Sequence, residues 1–591
     1  MSDGTARGPV GPSAADRDEF IAAFARLPVL AVSAIFWALL AVALLSNFWG
    51  ASQIRIATPD DAMRLVEVRA FLDGAAWFNP VEPRIGLDGT YLTHWSRLID
   101  APIALMMRVF GETFALAAWP LLLLLVTIMS MAAMAERVAG RQAGLIAALF
   151  GALCLAGFSQ FRPGIIHHHN AQLAASAAFV ALLLAAPASR FAAVGAGFAG
   201  ALALAFGLES VPVLAVAIAF YVLRFVWSPQ DSRNPGLFGL SFAAFTGLLF
   251  VVTIPPSRWS VTECDALALN TLLLATIGGI GLFLVEQTTS LRSLGLRLAG
   301  MIAVAVVAVG AFVASDRSCL AGPYGHFDPA LWPVWLDYVA EMLSAKKLAA
   351  VEPIGAALYF SFPALALAGA AYILWRDRNW NSVMLAVNFL ALFAIAVMHV
   401  RGVLYASFYA VPVMAIAIAK LRDAGSFQSV RAIAIALAIA NPAFVAVAAV
   451  AIVPENEDSA PPSAKGAACF DTAAYKTLAQ LPPGLVLAQL DLATYVLAHT
   501  PHRVVMGPYH RLDRDLVFAR KLIAGPPADA EAPLRKSGVT YVVDCAGLLD
   551  RFADRKEPMS FRTALTGGYA PAFLTPVPMG GSPLLVWRME P

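Results

Sequence analysis

FALAAWPLLLLLVTIMSMAAM, residues Phe114–Met134, is a run of 21 residues without one charged side chain. Coiled as a helix at about 1.5 Å per residue, such a run crosses the ~30 Å hydrocarbon layer of a bilayer. Twelve further blocks read the same way: Val29–Phe48, Ala143–Gly157, Ala171–Ala186, Phe191–Gly207, Val211–Val226, Leu237–Pro255, Ala266–Leu284, Leu298–Val313, Ile354–Trp375, Val383–Met398, Leu404–Ala419 and Ala432–Val453. The expected fold class is therefore an α-helical polytopic membrane protein with about thirteen transmembrane helices. Composition agrees: 59% of the 591 residues are hydrophobic and 14% charged, with mean hydropathy +0.71. A water-soluble domain needs more charge on its surface than that. The net charge of +2 gives bulk electrostatics no reason to attract nucleic acid.

Charge placement sets an orientation. Arg137, Arg141, Arg190, Arg224, Arg233, Arg292, Arg297, Arg376, Arg378, Lys420, Arg422 and Arg431 fall on even-numbered connections, while the short odd ones hold little beyond Arg162, Arg258 and Arg401. By the positive-inside rule the N-terminus is cytoplasmic, and thirteen spans put the C-terminal tail outside. That place is the periplasm for an inner (plasma) membrane protein of a Gram-negative bacterium. The first block is too long for a cleavable signal and lacks a small-residue cleavage site. Cys264 and Cys319 fall on predicted outer loops and Cys469 and Cys545 in the outer tail, so two disulfides fit an oxidising compartment; unpaired small apolar residues are the alternative.

Residues 1–28 read as a polar cytoplasmic leader and 29–453 as the membrane domain, with long outer loops at 51–112 and 315–351. Loops of that length are usually functional. After the linker Glu455–Ser463, short β-type runs (Leu485–Leu490, Val504–Met506, Thr540–Val543, Leu584–Trp587) alternate with helical patterns, so 454–591 reads as a small α/β extracytoplasmic domain.

Polar residues that could carry chemistry gather in these outer segments. Thr58-Pro59-Asp60-Asp61 opens a helix, with Asp60 or Asp61 as its cap and Arg64 and Glu67 one turn apart on its face. The carboxylates suit a metal ligand or base; two capping acids on a surface helix are the plain alternative. Trp77, His94-Trp95-Ser96-Arg97 and Asp100 follow, a mixture suited to the headgroup zone. At Gln160-Phe-Arg162-Pro-Gly-Ile-Ile-His167-His168-His169-Asn170, a Pro-Gly turn delivers three imidazoles to the start of a span, where they could bind a divalent ion. The second long loop holds Tyr324, His326, Trp332, Trp335, Asp337 and Glu341, in which an acid could complete a metal site or meet an acceptor. Arg401 stands at the outer mouth of a span, where an ionisable group needs a partner. A phosphate fits its planar fork, and Glu209 is the alternative protein partner.

The arrangement resembles the type C membrane glycosyltransferases (GT-C), most closely oligosaccharyltransferase catalytic subunits, with protein mannosyltransferases and aminoarabinose transferases as relatives. The resemblance implies thirteen spans, two long outer loops, an outer C-terminal domain and sugar transfer from a polyprenyl-phosphate donor at the outer face of the bilayer. It makes Asp61 the first-loop aspartate that binds a metal (Mg or Mn) and approaches the acceptor, and His168-His169 the second metal motif. Arg401, with Tyr405 and the run Ala410-Val-Pro412-Val, becomes the arginine holding the carrier phosphate. Asp60, Arg162, His94 and Glu341 join the expected catalytic or substrate-binding set. His167 stands where the family carries Asp, and no Trp-Trp-Asp sequon-reading motif is present; Asp491-Leu-Ala-Thr-Tyr495 is its nearest remnant. A lipid or glycan acceptor is then at least as well suited as a protein one. The rival from another class is a transporter or flippase of lipid-linked glycans, which would place its ionisable groups at the bilayer midplane and show repeat symmetry. Here they lie at one face, with no repeat visible.

Overall fold

The computed structural model describes residues 27–46, 48, 54–153, 156–289, 293–325, 327–332, 335–336, 339–377, 379–425, 441–452, 464–545, 548 and 560–590. The leader before residue 27, the linker Glu455–Ser463, His326 and Asp337 lie outside the described residues.

Among the described residues, the apolar blocks fall on helix. The first described helix is α1 (Val29–Ser46), and the first long loop contributes α2 (Pro59–Leu72) and α3 (Arg97–Phe110). Next come α4 (Glu112–Leu153), α5 (His168–Ala185), α6 (Arg190–Phe206), α7 (Val211–Trp227), α8 (Pro235–Thr253), α9 (Leu269–Thr289) and α10 (Leu294–Ser315). The short α11 (Ala345–Val351) leads to α12 (Pro353–Arg376), α13 (Trp380–Met398), α14 (Gly402–Asp423) and α15 (Pro442–Ile452). Two of the expected spans share α4, which bends at Ala139–Gly140, where Gly140 adopts φ 79°. Among the described residues, ten helices are long and apolar enough to cross a membrane. Of the last block, Ala432–Val453, residues 441–452 are described.

Burial differs sharply between spans. Residues Gly402–Ala419 of α14 are all buried, so this helix forms the axis around which α4, α12 and α13 pack. By contrast α10 presents Ile302, Val306, Val307 and Val309 outward, the pattern of a helix solvated by lipid.

The tail folds as expected in class, with α16 (Ala464–Ala468), α17 (Ala493–His499), α18 (Asp513–Ala524), α19 (Glu531–Ser537) and α20 (Phe561–Thr566) around one sheet. The strands β3 (Leu485–Ala488), β4 (Arg503–Val504), β5 (Val539–Cys545), β6 (Leu574–Pro576) and β7 (Leu584–Met589) lie in the order β4-β3-β5-β7-β6. The pairs β3–β4 and β3–β5 run parallel, and β5–β7 and β6–β7 antiparallel. The first loop carries its own ribbon, β1 (Val81–Glu82) with β2 (Tyr91–Leu92). Just beyond β1, Ile85 bridges to Val504, with Gly86 N–H donating to the Val504 carbonyl (2.9 Å) and Val504 N–H to that of Arg84 (2.8 Å). The first loop thus covers the β4 edge, which would otherwise offer unpaired backbone groups. Arg69 and Arg84 add bonds to the carbonyls of Ala498, Leu497 and Thr500. Both cysteine pairs, Cys264–Cys319 and Cys469–Cys545, are disulfides.

Candidate functional site

The first-loop helix differs from expectation in two ways. Its N-cap is Thr58, whose hydroxyl accepts from the Asp61 amide (3.2 Å), so neither aspartate is needed as cap. Nor does it lie on a surface: residues 61–68 are all buried, Arg64 and Glu67 among them. Arg64 donates to Asp100 (2.5 Å) and Glu67 (3.3 Å) beneath the Trp95 ring, and Arg97 reaches Asp100 from the other side (3.1 Å). Burial, reinforced by the nearby Asp100 charge, pushes the Glu67 carboxyl up to about 8.

Both oxygens of Asp61 meet neighbours. One carboxylate oxygen accepts from the amides of Ile166 (2.6 Å) and His167 (2.9 Å) and meets His167 Nδ1 at 2.7 Å; the other accepts from Thr58 Oγ1 (2.7 Å). These bonds clamp the histidine run onto the first loop. Gly164 supports the clamp: at φ 93° it tucks under the Arg55 carbonyl, where any Cβ would collide. Oδ1 of Asp61 takes three of these contacts and Oδ2 one, so Oδ2 keeps a lone pair for the expected role of metal ligand or base. Asp60 is the freer acid. Half-buried, it has no side-chain hydrogen bond among the described residues, and it lies within electrostatic reach of His167, Glu341 and His169. Burial raises its carboxyl despite the attraction of His167.

The histidines fan out from this clamp. His167 joins Asp61 to Gln160 (Nε2–Oε1 2.9 Å). His169 Nδ1 lies 2.7 Å from Glu209, and His168 sits tilted between His169 and Trp95, with ring centroids 4.2 and 5.4 Å away. Glu209 sits in the turn between α6 and α7, brought against α5 by Gly207, where a Cβ would strike the Gln172 amide. Its other oxygen meets Arg401 Nη1 at 2.5 Å. Arg401, just ahead of α14, also clasps Glu341 through Nε (3.0 Å) and Nη2 (2.7 Å). Glu209 therefore is the protein partner of Arg401, with Glu341 as a second. Burial would raise the Glu341 carboxyl, but Arg401 outweighs it and holds it below the ordinary range.

So Asp60, Asp61, His168, His169, Glu209, Glu341 and Arg401 form one connected cluster, drawn from the first loop, the α5 start, the α6–α7 turn, the second long loop and the α14 start. Tyr405 borders it, its hydroxyl 3.4 Å from Gln172. Arg162 does not join: it is exposed, and its one side-chain hydrogen bond among the described residues goes to the Ser159 carbonyl. The nitrogens of His168 and His169 and an oxygen of Glu209 lie within 4.8 Å of one another, a donor set able to hold a divalent ion.

His94 lies next to this cluster, its ring 6.4 Å from that of His168, and belongs to a second group absent from the sequence-based expectation. Asp265 binds His510 Nε2 (2.6 Å) and Arg511 through both oxygens (2.8 and 2.6 Å), and Arg511 continues to Glu263 (2.7 Å). These bonds join the α8–α9 connection to the C-terminal domain. The one signal in the chain was the dense polar run Tyr509-His510-Arg511, which carries no recognisable spacing.

No family model matches the sequence, and no curated protein matches it. Solved structures do. The archaeal oligosaccharyltransferase AglB from Archaeoglobus fulgidus, in complex with an inhibitory peptide and a dolichol-phosphate, superposes with a TM-score of 0.64 at 16% identity, over 88% of this chain and 69% of that one. The same organism's oligosaccharyltransferase tethered to an acceptor peptide containing the NVT sequon gives 0.65 at 15% over the same shares. Its complex with Zn and sulfate gives 0.59 at 16%, over 88% and 68%. At such identities the likeness speaks to the arrangement of the backbone, and it settles that arrangement: this chain has the fold of the GT-C membrane glycosyltransferases.

Proposed function

We propose that the protein is a glycosyltransferase that takes a sugar from a polyprenyl-phosphate carrier at the outer face of the membrane. The observation that carries this reading is Arg401, held between Glu209 and Glu341 at a helix mouth, with His169 on Glu209 and both His169 and Glu341 within electrostatic reach of Asp60. A guanidinium so placed can exchange a carboxylate for a phosphate, the anion its fork fits equally well. That the Archaeoglobus protein of this fold was captured with a dolichol-phosphate supports the assignment. Asp60, with its carboxylate unclaimed, takes the role the sequence offered to either aspartate, and Asp61 becomes the positioning residue that holds the histidine run.

In the reaction an acceptor oxygen forms a bond to the anomeric carbon while the bond from that carbon to the carrier phosphate breaks. The electron pair leaves with the phosphate, which Arg401 stabilises, and the acceptor proton passes to Asp60. His168, His169 and Glu209 fit a divalent cation, and the unpartnered Nδ1 of His168 is the orphaned atom such an ion explains. Two imidazoles with one carboxylate suit manganese or zinc better than magnesium. When bound, the ion adds positive charge beside the leaving phosphate. The membrane domain spans 29–453 with the N-terminus cytoplasmic, and 454–591 is periplasmic, in a bacterial inner membrane.

The test is binding of undecaprenyl phosphate to the full chain in phosphatidylcholine nanodiscs, read by native mass spectrometry. Wild type should retain one lipid phosphate per chain, and Arg401→Ala should weaken it by more than about tenfold. Equal retention by both would defeat the assignment.

A further inference from the structure

His94, Asp265 and His510 come from three distant parts of the chain: the segment between β2 and α3, the α8–α9 connection and the approach to α18. They meet in the second polar group, with side chains 16%, 7% and 17% exposed. His510 Nε2 lies 2.6 Å from Asp265 Oδ2, and His94 Nδ1 lies 4.0 Å from the same oxygen. The two imidazoles stand 5.0 Å apart, centroid to centroid. The longer separation is the anomaly. It is too great for a hydrogen bond, and the buried His94 Nδ1 has no hydrogen-bond partner among the described residues. A buried nitrogen that stops short of a carboxylate calls for a group between them.

That gap of 4.0 Å is about twice the ~2.0–2.1 Å length of a zinc–nitrogen or zinc–oxygen bond. One nitrogen from each histidine and one Asp265 oxygen all lie within 4.8 Å of one another. Tetrahedral ligands on zinc are about 3.3 Å apart, so the long pair closes and the short pair opens by roughly equal amounts. An ion held this way needs no cavity beyond the gap itself. Arg511 does not stand against it. The guanidinium grips Asp265 through both oxygens (2.8 and 2.6 Å), which aims the carboxylate, and Glu263 at 2.7 Å offsets its charge. Two imidazoles and one carboxylate suit zinc, with water in the fourth position. The His510 ring then carries its proton on Nδ1 and stays neutral.

We propose that His94, Asp265 and His510 bind a structural zinc ion that clasps the C-terminal domain onto the first loop and the α8–α9 connection. The set shares no residue with His168, His169 and Glu209, and it does not depend on the glycosyltransferase reading. Next to Asp265, the Cys264–Cys319 disulfide ties the same connection to the second long loop. One ion and one disulfide thus fasten four outer segments together.

The test uses the full chain in phosphatidylcholine nanodiscs, freed of any affinity tag, stripped with EDTA, reloaded with zinc and desalted. Zinc is then counted by plasma mass spectrometry. His94→Leu should hold one zinc per chain fewer than wild type, and His169→Leu should keep that ion. In His169→Leu, X-ray absorption should show two imidazoles on zinc at about 2.0–2.1 Å, a result independent of how well His94→Leu folds. Stripping the metal should speed protease cutting within 464–590 by about tenfold in wild type and leave cutting of His94→Leu unchanged. Equal zinc in wild type and His94→Leu, a zinc spectrum without imidazole, or cutting that ignores the metal would each overturn the clasp.

Discussion

Replacing each of the two adjacent aspartates separates a positioning role from a chemical one. Asp61→Ala strips the acceptor from two buried amides, from His167 and from Thr58. Each buried N–H left unsatisfied costs about 1–3 kcal/mol, so the two amides alone remove about 2–6 kcal/mol, a large share of the ~5–15 kcal/mol by which folded proteins are stable. Asp61→Asn is milder, because its amide oxygen still accepts from both N–H groups and its NH2 finds the Thr58 hydroxyl. Asp60 holds no such bonds, and Asp60→Asn removes a carboxylate that burial disfavours. The assay pairs the thermal unfolding midpoint in nanodiscs with sugar release from a polyprenyl-phosphate donor. We expect Asp60→Asn to keep its midpoint within ~2 °C and to lose transfer by about 10²–10⁴-fold. Asp61→Ala should fall by several degrees, with Asp61→Asn between. An Asp61→Asn protein that melts like wild type but is inactive, beside an active Asp60→Asn, would refute the assignment.

Three more outcomes follow from the geometry. Arg401→Lys keeps the charge but not the fork that spans Glu209 and Glu341, and should weaken undecaprenyl phosphate binding by about tenfold, measured by titration in nanodiscs. Glu67 has a folded-state value of about 8 against an ordinary 4.5, so its protonated form supports the fold at acid pH and that support is lost as pH rises from 4.5 through 8. Glu67→Gln should therefore melt like wild type at pH 5 and increasingly above it by pH 8 to 9; a constant difference across that range would count against the buried acid. The Cys469–Cys545 bond closes a 76-residue separation, and Cys469→Ala/Cys545→Ala should destabilise the outer domain by about 4 kcal/mol on loop entropy, seen as earlier protease cutting within 464–590.

What could be read beforehand follows from physical range. Spans were legible because lipid imposes a long uninterrupted apolar run, and among the described residues the bend at Gly140, where one long helix carries two blocks, changed the bookkeeping of elements. Arg401 and the histidine run stood out because ionisable groups at helix mouths are rare and need partners; Glu209 was found for the same reason. The choice between Asp60 and Asp61 was not legible: neighbours on a helix point about 100° apart, and which one meets the Ile166 and His167 amides depends on a segment about 105 residues away. Arg64 and Glu67 looked like a surface pair because their cover, Asp100 and Trp95, is supplied by the far side of the same loop. The Asp265–His510 contact bridges 245 residues and has no local trace. Of the strands, β1, β2 and β6 were missed, being two or three residues long, with β6 ending in Pro576.

The bridge from Ile85 to Val504 has a consequence for how the molecule is made. Residues 81–97 leave the ribosome more than 400 residues before their sheet neighbour. At ~5–20 residues per second, that interval is roughly 20–80 s. Through it the newborn first loop waits at the membrane surface with its backbone groups facing water, and the helix bearing Asp60 lacks the floor that α17 later supplies. The proposed site thus gains its last support with the final quarter of translation, and a ribosome stalled after the last span leaves the first loop without its sheet neighbour.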